Sequence, residues 1–339
     1  MQHLLKFLSV SVLITPSLGA QERRPVTPNV RLTVRGPHET VQRALDAMGG
    51  EQAVRNVSSV STEFNSVNFG LGQEETPESP PRATISWGKI VSDYANKRRA
   101  FTGEIRPIPG GVIRQRRLMA NGIGMFDNNG VQTPETPVNL ANIERGMRLQ
   151  PERMLLAALD NPAALSALRP REWRGELMTG VRYAGADTFS LYFDRVSGLL
   201  VVSESVTDDP ILGNRSNVTW YTRWQDAGGG VKLPRQFDSE ANGRLLSHNV
   251  VTSASVNAPL DSALFVIPDS IAAKAQKSSP GPQPVAVTLV ELAPGVWRAE
   301  GGSHHSLVVE QPARLVVVEA PQTSARSRAV LDTLRKRFP

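Results

Sequence analysis

The chain has 339 residues, of which 40% are hydrophobic and 21% are charged, a balance typical of globular proteins and unlike that of disordered ones. It contains no cysteine, which excludes disulfides, thiolate metal sites and cysteine nucleophiles. The net charge is +6, but no nucleic-acid-binding motif accompanies it, so we expect solvated basic loops and no nucleic-acid partner.

The N-terminus has the pattern of a secretory signal peptide over residues 1–20. Lys6 supplies the positive charge, residues 7–14 the apolar core, and residues 17–20 a small-residue cleavage region. The apolar run of about 8 residues is too short for the alternative, a membrane anchor, because a spanning helix needs about 20. We therefore expect a periplasmic or secreted protein without a transmembrane segment after signal removal, and a linker over residues 21–38.

The next segment predicts a helix followed by a long series of strands. Glu39–Met48 carries apolar residues at helical spacing and ends at Gly49 and Gly50. From Val60 onward the apolar pattern has the period of two that is typical of strands, and turn-forming residues separate the segments. The predicted strands are Val60–Phe69, Ala83–Tyr94, Lys97–Ile105, Val112–Ala120, Gly124–Phe126, Val181–Ala184, Thr188–Asp194, Leu199–Val206, Asn217–Gln225, Val231–Ser239, Leu245–Ala254 and Ala263–Val266.

Two short helices are predicted to interrupt these strands, over Glu152–Leu159 and Ala163–Leu168, with a break at Asp160–Pro162. Strands that follow one another so closely pair in antiparallel fashion, because parallel pairs need a long crossover. The fold class is therefore mainly β (α+β), with a curved antiparallel sheet over a helix.

This element order resembles the half-barrel of the LolA/LolB-like lipoprotein carriers over residues 39–268. The features that carry the resemblance are Ala47–Gly50 at the end of the first helix, a hairpin over Tyr192–Leu200, and Phe265–Pro268 as a final strand. The resemblance implies a concave face that takes an acyl chain, a lipid or a lipoprotein. The apolar residues expected on that face and its helix are Leu45, Met48, Phe64, Trp87, Phe101, Leu191, Phe193, Trp220 and Trp224. The alternative is that these residues simply form the core of the domain.

Residues 269–284 are predicted to be a linker because small, charged and proline residues dominate Ala272–Pro284. Residues 285–339 then resemble the opening of a metallo-β-lactamase-fold domain, with Val290–Trp297, Gly301–Glu310 and Arg314–Pro321 as strands before a helix over Ser324–Arg337. Such a domain is a layered αββα fold that binds zinc through a His-x-His-x-Asp-His motif after its first helix. The sequence stops before any such motif.

The candidate metal ligands in this segment do not form a set. His304 and His305 are adjacent, so on a strand they point to opposite faces and cannot both bind one ion. The metallo-β-lactamase resemblance implies an aspartate at the position of Glu319, which casts doubt on a supporting role for that residue. Asp208 and Asp209 are more simply a solvated turn. We therefore assign no catalytic, cofactor-binding or metal residue.

Arginines at 98, 99, 114, 116 and 117 suggest either a basic face or an ordinary solvated strand face.

Two functional hypotheses follow. The first is an exported metallo-β-lactamase-fold hydrolase whose zinc site is missing from this chain, so that it is inactive as given. The alternative is a periplasmic lipid- or lipoprotein-binding module. In either case we expect residues 285–339 to be loosely ordered or docked, with edge strands at Leu307–Val309 and Leu315–Val318, and protease to cut first between Ala272 and Pro284.

Overall fold

A computed structural model describes residues 36–72, 74–76, 78–108, 110–209, 213–277, 286–301, 305–319 and 324–338. The predicted signal peptide lies outside these residues. The helices are α1 Pro37–Met48, α2 Glu51–Arg55, α3 Pro137–Arg148, α4 Pro151–Asp160, α5 Asp269–Lys277 and α6 Ser324–Arg337. The strands are β1 Ser59–Gly70, β2 Arg82–Asp93, β3 Arg98–Pro107, β4 Ile113–Ala120, β5 Ile123–Asn128, β6 Val131–Pro134, β7 Leu165–Trp173, β8 Glu176–Ala184, β9 Thr188–Phe193, β10 Leu200–Asp209, β11 Gly213–Asp226, β12 Lys232–Ala241, β13 Arg244–Val256, β14 Thr288–Ala293, β15 Val296–Glu300, β16 Ser306–Gln311 and β17 Arg314–Val318.

The first thirteen strands form one curved antiparallel sheet, which confirms the mainly β class. Its order is β6-β5-β4-β3-β2-β1-β13-β12-β11-β10-β9-β8-β7. Every pair joins strands that are consecutive in the chain except β1 and β13, which meet at the centre of the sheet. The edges are β6 and β7, and the connection between them contains α3 and α4.

The main core lies where α1 and α4 pack against each other and against the sheet. Leu45 and Met48 of α1, Leu155 of α4 and Leu191 of β9 have no exposed surface. The predicted α1 is confirmed, and it ends where Gly49 adopts a positive φ of 127°. A side chain at Gly49 would meet the carbonyl oxygen of Gly230 at 2.1 Å, so close packing as well as backbone conformation requires glycine here.

A second core lies on the outer face of β2 to β5, and it corrects two predictions. Ala263–Val266 was predicted as a strand, but Ser262–Phe265 is a 3₁₀ helix that begins where the side chain of Asp261 accepts from the backbone N–H of Ala263 at 2.9 Å. Residues 269–277, predicted as linker, form α5. Phe265 and Ile271 are buried in this core. Contact with the sheet therefore overrides both the strand-like pattern and the linker-like composition.

The connection between the two edge strands also differs from prediction. Helix α4 is confirmed, but the predicted helix Ala163–Leu168 is a short 3₁₀ turn followed by β7, because this segment pairs with β8. Helix α3 was not predicted. Its start is nevertheless encoded: the Thr136 hydroxyl accepts from the backbone N–H of Asn139 at 3.2 Å, and Pro137 occupies the first turn.

Residues 286–338 contain a separate sheet with the order β14-β15-β16-β17 and the helix α6. Trp297, Val308, Val330 and Leu334 form its core, whereas Leu331 is exposed. The predicted edge at Leu307–Val309 is wrong, because β16 is an inner strand paired on both sides. Within the described residues of this segment the only sheet is four-stranded, and the metallo-β-lactamase fold stays a prediction.

Candidate functional site

The concave face of the large sheet contains a cavity of about 760 Å³. This volume lies within the range of about 300–1,000 Å³ that is usual for small-molecule sites. The walls come from the inner faces of β1, β2, β3, β11, β12 and β13, and from the junction between α3 and α4. The lining residues are Val60, Thr62, Phe64, Ser66, Asn68, Thr84, Ser86, Ile90, Ser92, Tyr94, Arg99, Ile105, Gly146, Leu149, Gln150, Pro151, Glu152, Thr219, Tyr221, Leu233, Pro234, Phe237, Ser239, Asn249 and Val251.

Strand alternation explains which residues face the cavity. Along β1 every second residue from Val60 to Asn68 lines it, and the intervening residues face the opposite side. At a rise of about 3.3 Å per residue, these eight steps span about 26 Å. An elongated ligand can therefore lie along the strand.

The cavity is apolar in the middle and more polar at the far end. Phe64 and Ile90 provide apolar surface in its central part, and Ile105 and Phe237 lie nearer the far end, opposite Ser86 and Asn249. At the far end, the amide of Asn68 donates to the Ser86 hydroxyl at 3.0 Å. The lining is thus amphipathic along its length, as expected of a site for an amphipathic molecule.

The end next to the helices contains a buried carboxyl group. Glu152 lies in the first turn of α4 with 2% of its surface exposed, and its Oε1 accepts from the hydroxyl of Tyr94 at 2.6 Å. Burial raises the pKa of the Glu152 carboxyl and raises the pKa of Tyr94 well above its ordinary value, with the nearby carboxylate adding to the latter. Tyr94 is therefore a permanent hydrogen-bond donor to Glu152 at physiological pH.

Two arginines lie beside this pair, with different surroundings. The guanidinium of Arg153 stacks on the ring of Tyr94 at 3.9 Å and donates to the carbonyl oxygen of Val57. The side chain of Arg99 lines the cavity instead. It forms no hydrogen bond and no ion pair within 4.0 Å with any residue that the structure describes. Burial lowers the pKa of Arg99, while Tyr94 and Glu152 act in the opposite direction.

Of the nine apolar residues predicted for the concave face, Phe64 lines the cavity. Phe101 lies next to it on the same face, with the two rings stacked at 6.3 Å. Leu45, Met48, Leu191 and Phe193 are in the core, and Trp224 packs against that core.

The predictions for Trp87 and Trp220 are wrong, because both side chains lie on the outer face of the sheet. Trp87 lines a different groove of about 500 Å³ on the outer side of β1 to β3. Trp220 packs with Tyr192 and Val202 in an outer cluster.

The five arginines proposed for a basic face do not share one. Arg99 faces the cavity, whereas Arg98 forms an ion pair with Asp93 at 2.5 Å on the outer side. Arg114, Arg116 and Arg117 contact Glu104, the carbonyl oxygens of residues 263 and 264, and Glu135, respectively. Alternation could have separated Arg99 from Arg98 in the sequence, because adjacent residues of a strand face opposite sides of the sheet.

The other polar candidates are dispersed. His304 lies outside the described residues and His305 is exposed. Glu319 is exposed and follows β17 with a positive φ of 69°. Asp208 and Asp209 end β10, opposite Asn214 and Gly213. Among the described residues, no three His, Asp or Glu side chains converge to hold a metal ion.

None of the helices in the described ranges combines the length and apolar character needed to cross a bilayer.

No protein-family model and no curated protein matches the sequence. Solved structures with similarity include a putative outer membrane lipoprotein-sorting protein domain from Vibrio parahaemolyticus, with 8% identity, a TM-score of 0.34, and coverage of 67% of this chain and 94% of that chain. MucB has 15% identity, a TM-score of 0.22, and coverage of 80% and 79%. A β-barrel-like protein from Brucella abortus, of a domain of unknown function, has 9% identity, a TM-score of 0.23, and coverage of 60% and 99%. At these scores, the properties of those proteins are not carried over to this chain.

Proposed function

We propose that the protein is a periplasmic carrier-like module that binds a lipid or the acyl chain of a lipoprotein in the concave cavity of its large sheet. The observation that carries the proposal is the cavity of about 760 Å³, with apolar surface along its middle and polar groups at both ends. Burial of an alkyl chain there is favourable by about 0.8 kcal/mol per methylene group. The signal-peptide pattern of residues 1–20 supports export.

The hydrolase hypothesis receives no comparable support. That hypothesis places its zinc site outside this chain, so the described residues offer no ligand group from which hydrolysis could be argued. The polar groups of the cavity, chiefly hydroxyls, amides and the paired Tyr94 and Glu152, are suited to holding a ligand in place. We therefore place binding ahead of hydrolysis.

The experiment uses Nile red, an uncharged fluorescent probe of apolar cavities, with the full chain. We expect saturable binding and competitive displacement by dodecanol. The variant Thr62→Phe places a ring within the cavity, since Thr62 is on the inner face of β1, and should weaken Nile red binding about tenfold or more because part of the apolar volume is filled.

The matched control is Thr188→Phe, the same substitution at an exposed position of β9 that does not line the cavity. It should bind Nile red as the unmodified protein does. Equal binding by both variants would place the probe elsewhere, and absence of saturable binding and displacement by the unmodified protein would refute the proposal.

A further inference from the structure

We propose that Arg99 is the head-group receptor of the cavity and that its guanidinium binds the carboxylate of a single-chain fatty acid. This inference rests on the proposed acyl-chain function. It adds the chemical class of the head group and the end of the cavity at which that group lies.

The first argument is the unused donor capacity of Arg99. A guanidinium presents five N–H donors in a planar fork that matches a carboxylate in two-point geometry. The described residues use none of the five, although Arg98, the preceding residue, uses its own guanidinium on Asp93. Arg99 is half-buried, so water reaches its guanidinium only in part, and a bound carboxylate would give these donors a partner.

The second argument is that Glu152, the acid near Arg99, does not form an ion pair with it. Glu152 is close enough to favour the charged form of Arg99, but no nitrogen of Arg99 lies within 4.0 Å of a carboxylate oxygen of Glu152. The Oε1 atom of Glu152 instead accepts a hydrogen bond from the hydroxyl of Tyr94. The space beside Arg99 therefore remains open to a ligand on the cavity side.

The third argument is charge balance, which favours a monoanion. Arg153 lies beside Tyr94 but is not among the residues that line the cavity, so Arg99 is the one lining cation in the described residues. Arg99 and Arg153 both lie within electrostatic reach of Glu152, so the three groups carry one net positive charge when Glu152 is ionised. A carboxylate neutralises that charge, whereas a doubly charged phosphate monoester leaves an excess negative charge. We therefore choose the carboxylate over the phosphate.

The position of Arg99 also sets the direction of the ligand. Arg99 pairs with Ser92, and Ser92 pairs with Val60, at the end of the strands next to α3 and α4. A carboxylate at Arg99 places the first methylene groups beside Ile90 and Phe64, and the chain then runs toward Ser66 and the far end.

The experiment compares lauric acid, dodecanol and dodecyl phosphate as competitors of Nile red, with the unmodified protein and with Arg99→Met. The variant keeps an unbranched apolar stem and removes the charge and the N–H donors of the guanidinium. We expect the unmodified protein to bind lauric acid about ten- to a hundredfold more tightly than dodecanol, the range for a hydrogen bond between charged groups. In Arg99→Met this preference should vanish, while dodecanol binding changes by less than about threefold.

Arg106→Met is the matched control, because Arg106 lies on the same strand but is exposed and does not line the cavity. It should retain the preference for the acid. Equal affinity for acid and alcohol in the unmodified protein would overturn the role of Arg99 even if the variant failed to fold, and it would leave the acyl-chain function standing. Tighter binding of dodecyl phosphate than of lauric acid would overturn the choice of a carboxylate. Failure of all three ligands to displace Nile red would overturn both proposals.

Discussion

Glu152 is a carboxyl group whose ionisation is disfavoured by its burial. Its carboxyl is almost fully buried, and burial raises its pKa above the ordinary value of 4.5. The folded protein therefore holds this proton more tightly than the unfolded chain does. Ionisation of Glu152 consequently opposes folding, and its cost grows as the pH rises from 4.5 through the raised pKa.

We predict that Glu152→Gln makes the free energy of unfolding less sensitive to pH. The amide oxygen can still accept from Tyr94, but the group no longer ionises. The difference in unfolding free energy, variant minus unmodified protein, should increase as the pH rises through that window and then level off. Urea denaturation at a series of pH values measures it.

The control for this prediction is Glu144→Gln, which removes the same charge from an exposed position of α3. We expect its difference from the unmodified protein to stay nearly constant over the same window. If the difference for Glu152→Gln is flat, or falls as the pH rises, burial does not govern the ionisation of this carboxyl.

At the scale of elements, the hairpin of β2 and β3 shows how the sheet makes room for the cavity. Gly88 and Gly103 are partners across the two strands, and the ring of Phe101 lies over them. A side chain on Gly103 would meet the carbonyl oxygen of Trp87 at 2.6 Å and two ring carbons of Phe101 at 2.9 Å. The absence of side chains at this pair therefore permits Phe101 to lie flat beside Phe64 on the inner face.

We predict that Gly103→Ala destabilises the protein by about 1–3 kcal/mol, the usual cost of overpacking. Gly111→Ala is the control, because a side chain at Gly111 meets no atom within 4 Å. It should change the unfolding free energy by no more than about 0.5 kcal/mol. Thermal or urea denaturation distinguishes the two variants, and equal effects would show that the space above Gly103 is not restrictive.

The elements that the sequence predicted correctly are those whose pattern is local. Alternation predicts β1 to β5 and β9 to β13, and helical spacing predicts α1, α4 and α6, with small errors at the ends. Of β8, Glu176–Ala184, only Val181–Ala184 was predicted. The segments Ala163–Leu168 and Ala263–Val266 were wrong because each takes its conformation from partners distant in sequence, namely β8 and the outer face of the sheet. Phe265, for example, packs under Arg98 with a cation–π distance of 4.4 Å.

The cavity itself was only partly predictable, for a related reason. Alternation in the sequence shows which residues of a strand share a face. It does not show which of the two faces lies on the concave side, because that depends on how the strands pair. Trp87 and Trp220 are large and apolar, yet they lie on the outer side. Small polar residues such as Thr62 and Ser66 line the cavity, and they give no sequence signal because they also occur on solvated strands.

At the scale of the whole molecule, the pairing of β1 with β13 ties residues 59–70 to residues 244–256 in the middle of the sheet. All intervening strands belong to the same hydrogen-bonded sheet. The segment that follows extends this unit, because Ile271 of α5 is buried in the outer core. The cooperative unit therefore reaches into α5, past residue 269 where the linker was predicted to begin.

We predict that limited trypsin digestion of the full chain cuts after Lys277, the last residue of α5, before it cuts after Lys274. Burial of Ile271 protects the helix, whereas Lys277 is its last residue and helix ends fray first. Mass spectrometry of the early fragments should show a product that ends at Lys277 and retains the whole large sheet. First cuts within residues 59–256 would contradict the single cooperative unit. A first cut after Lys274 would show that α5 does not hold its place on the outer core.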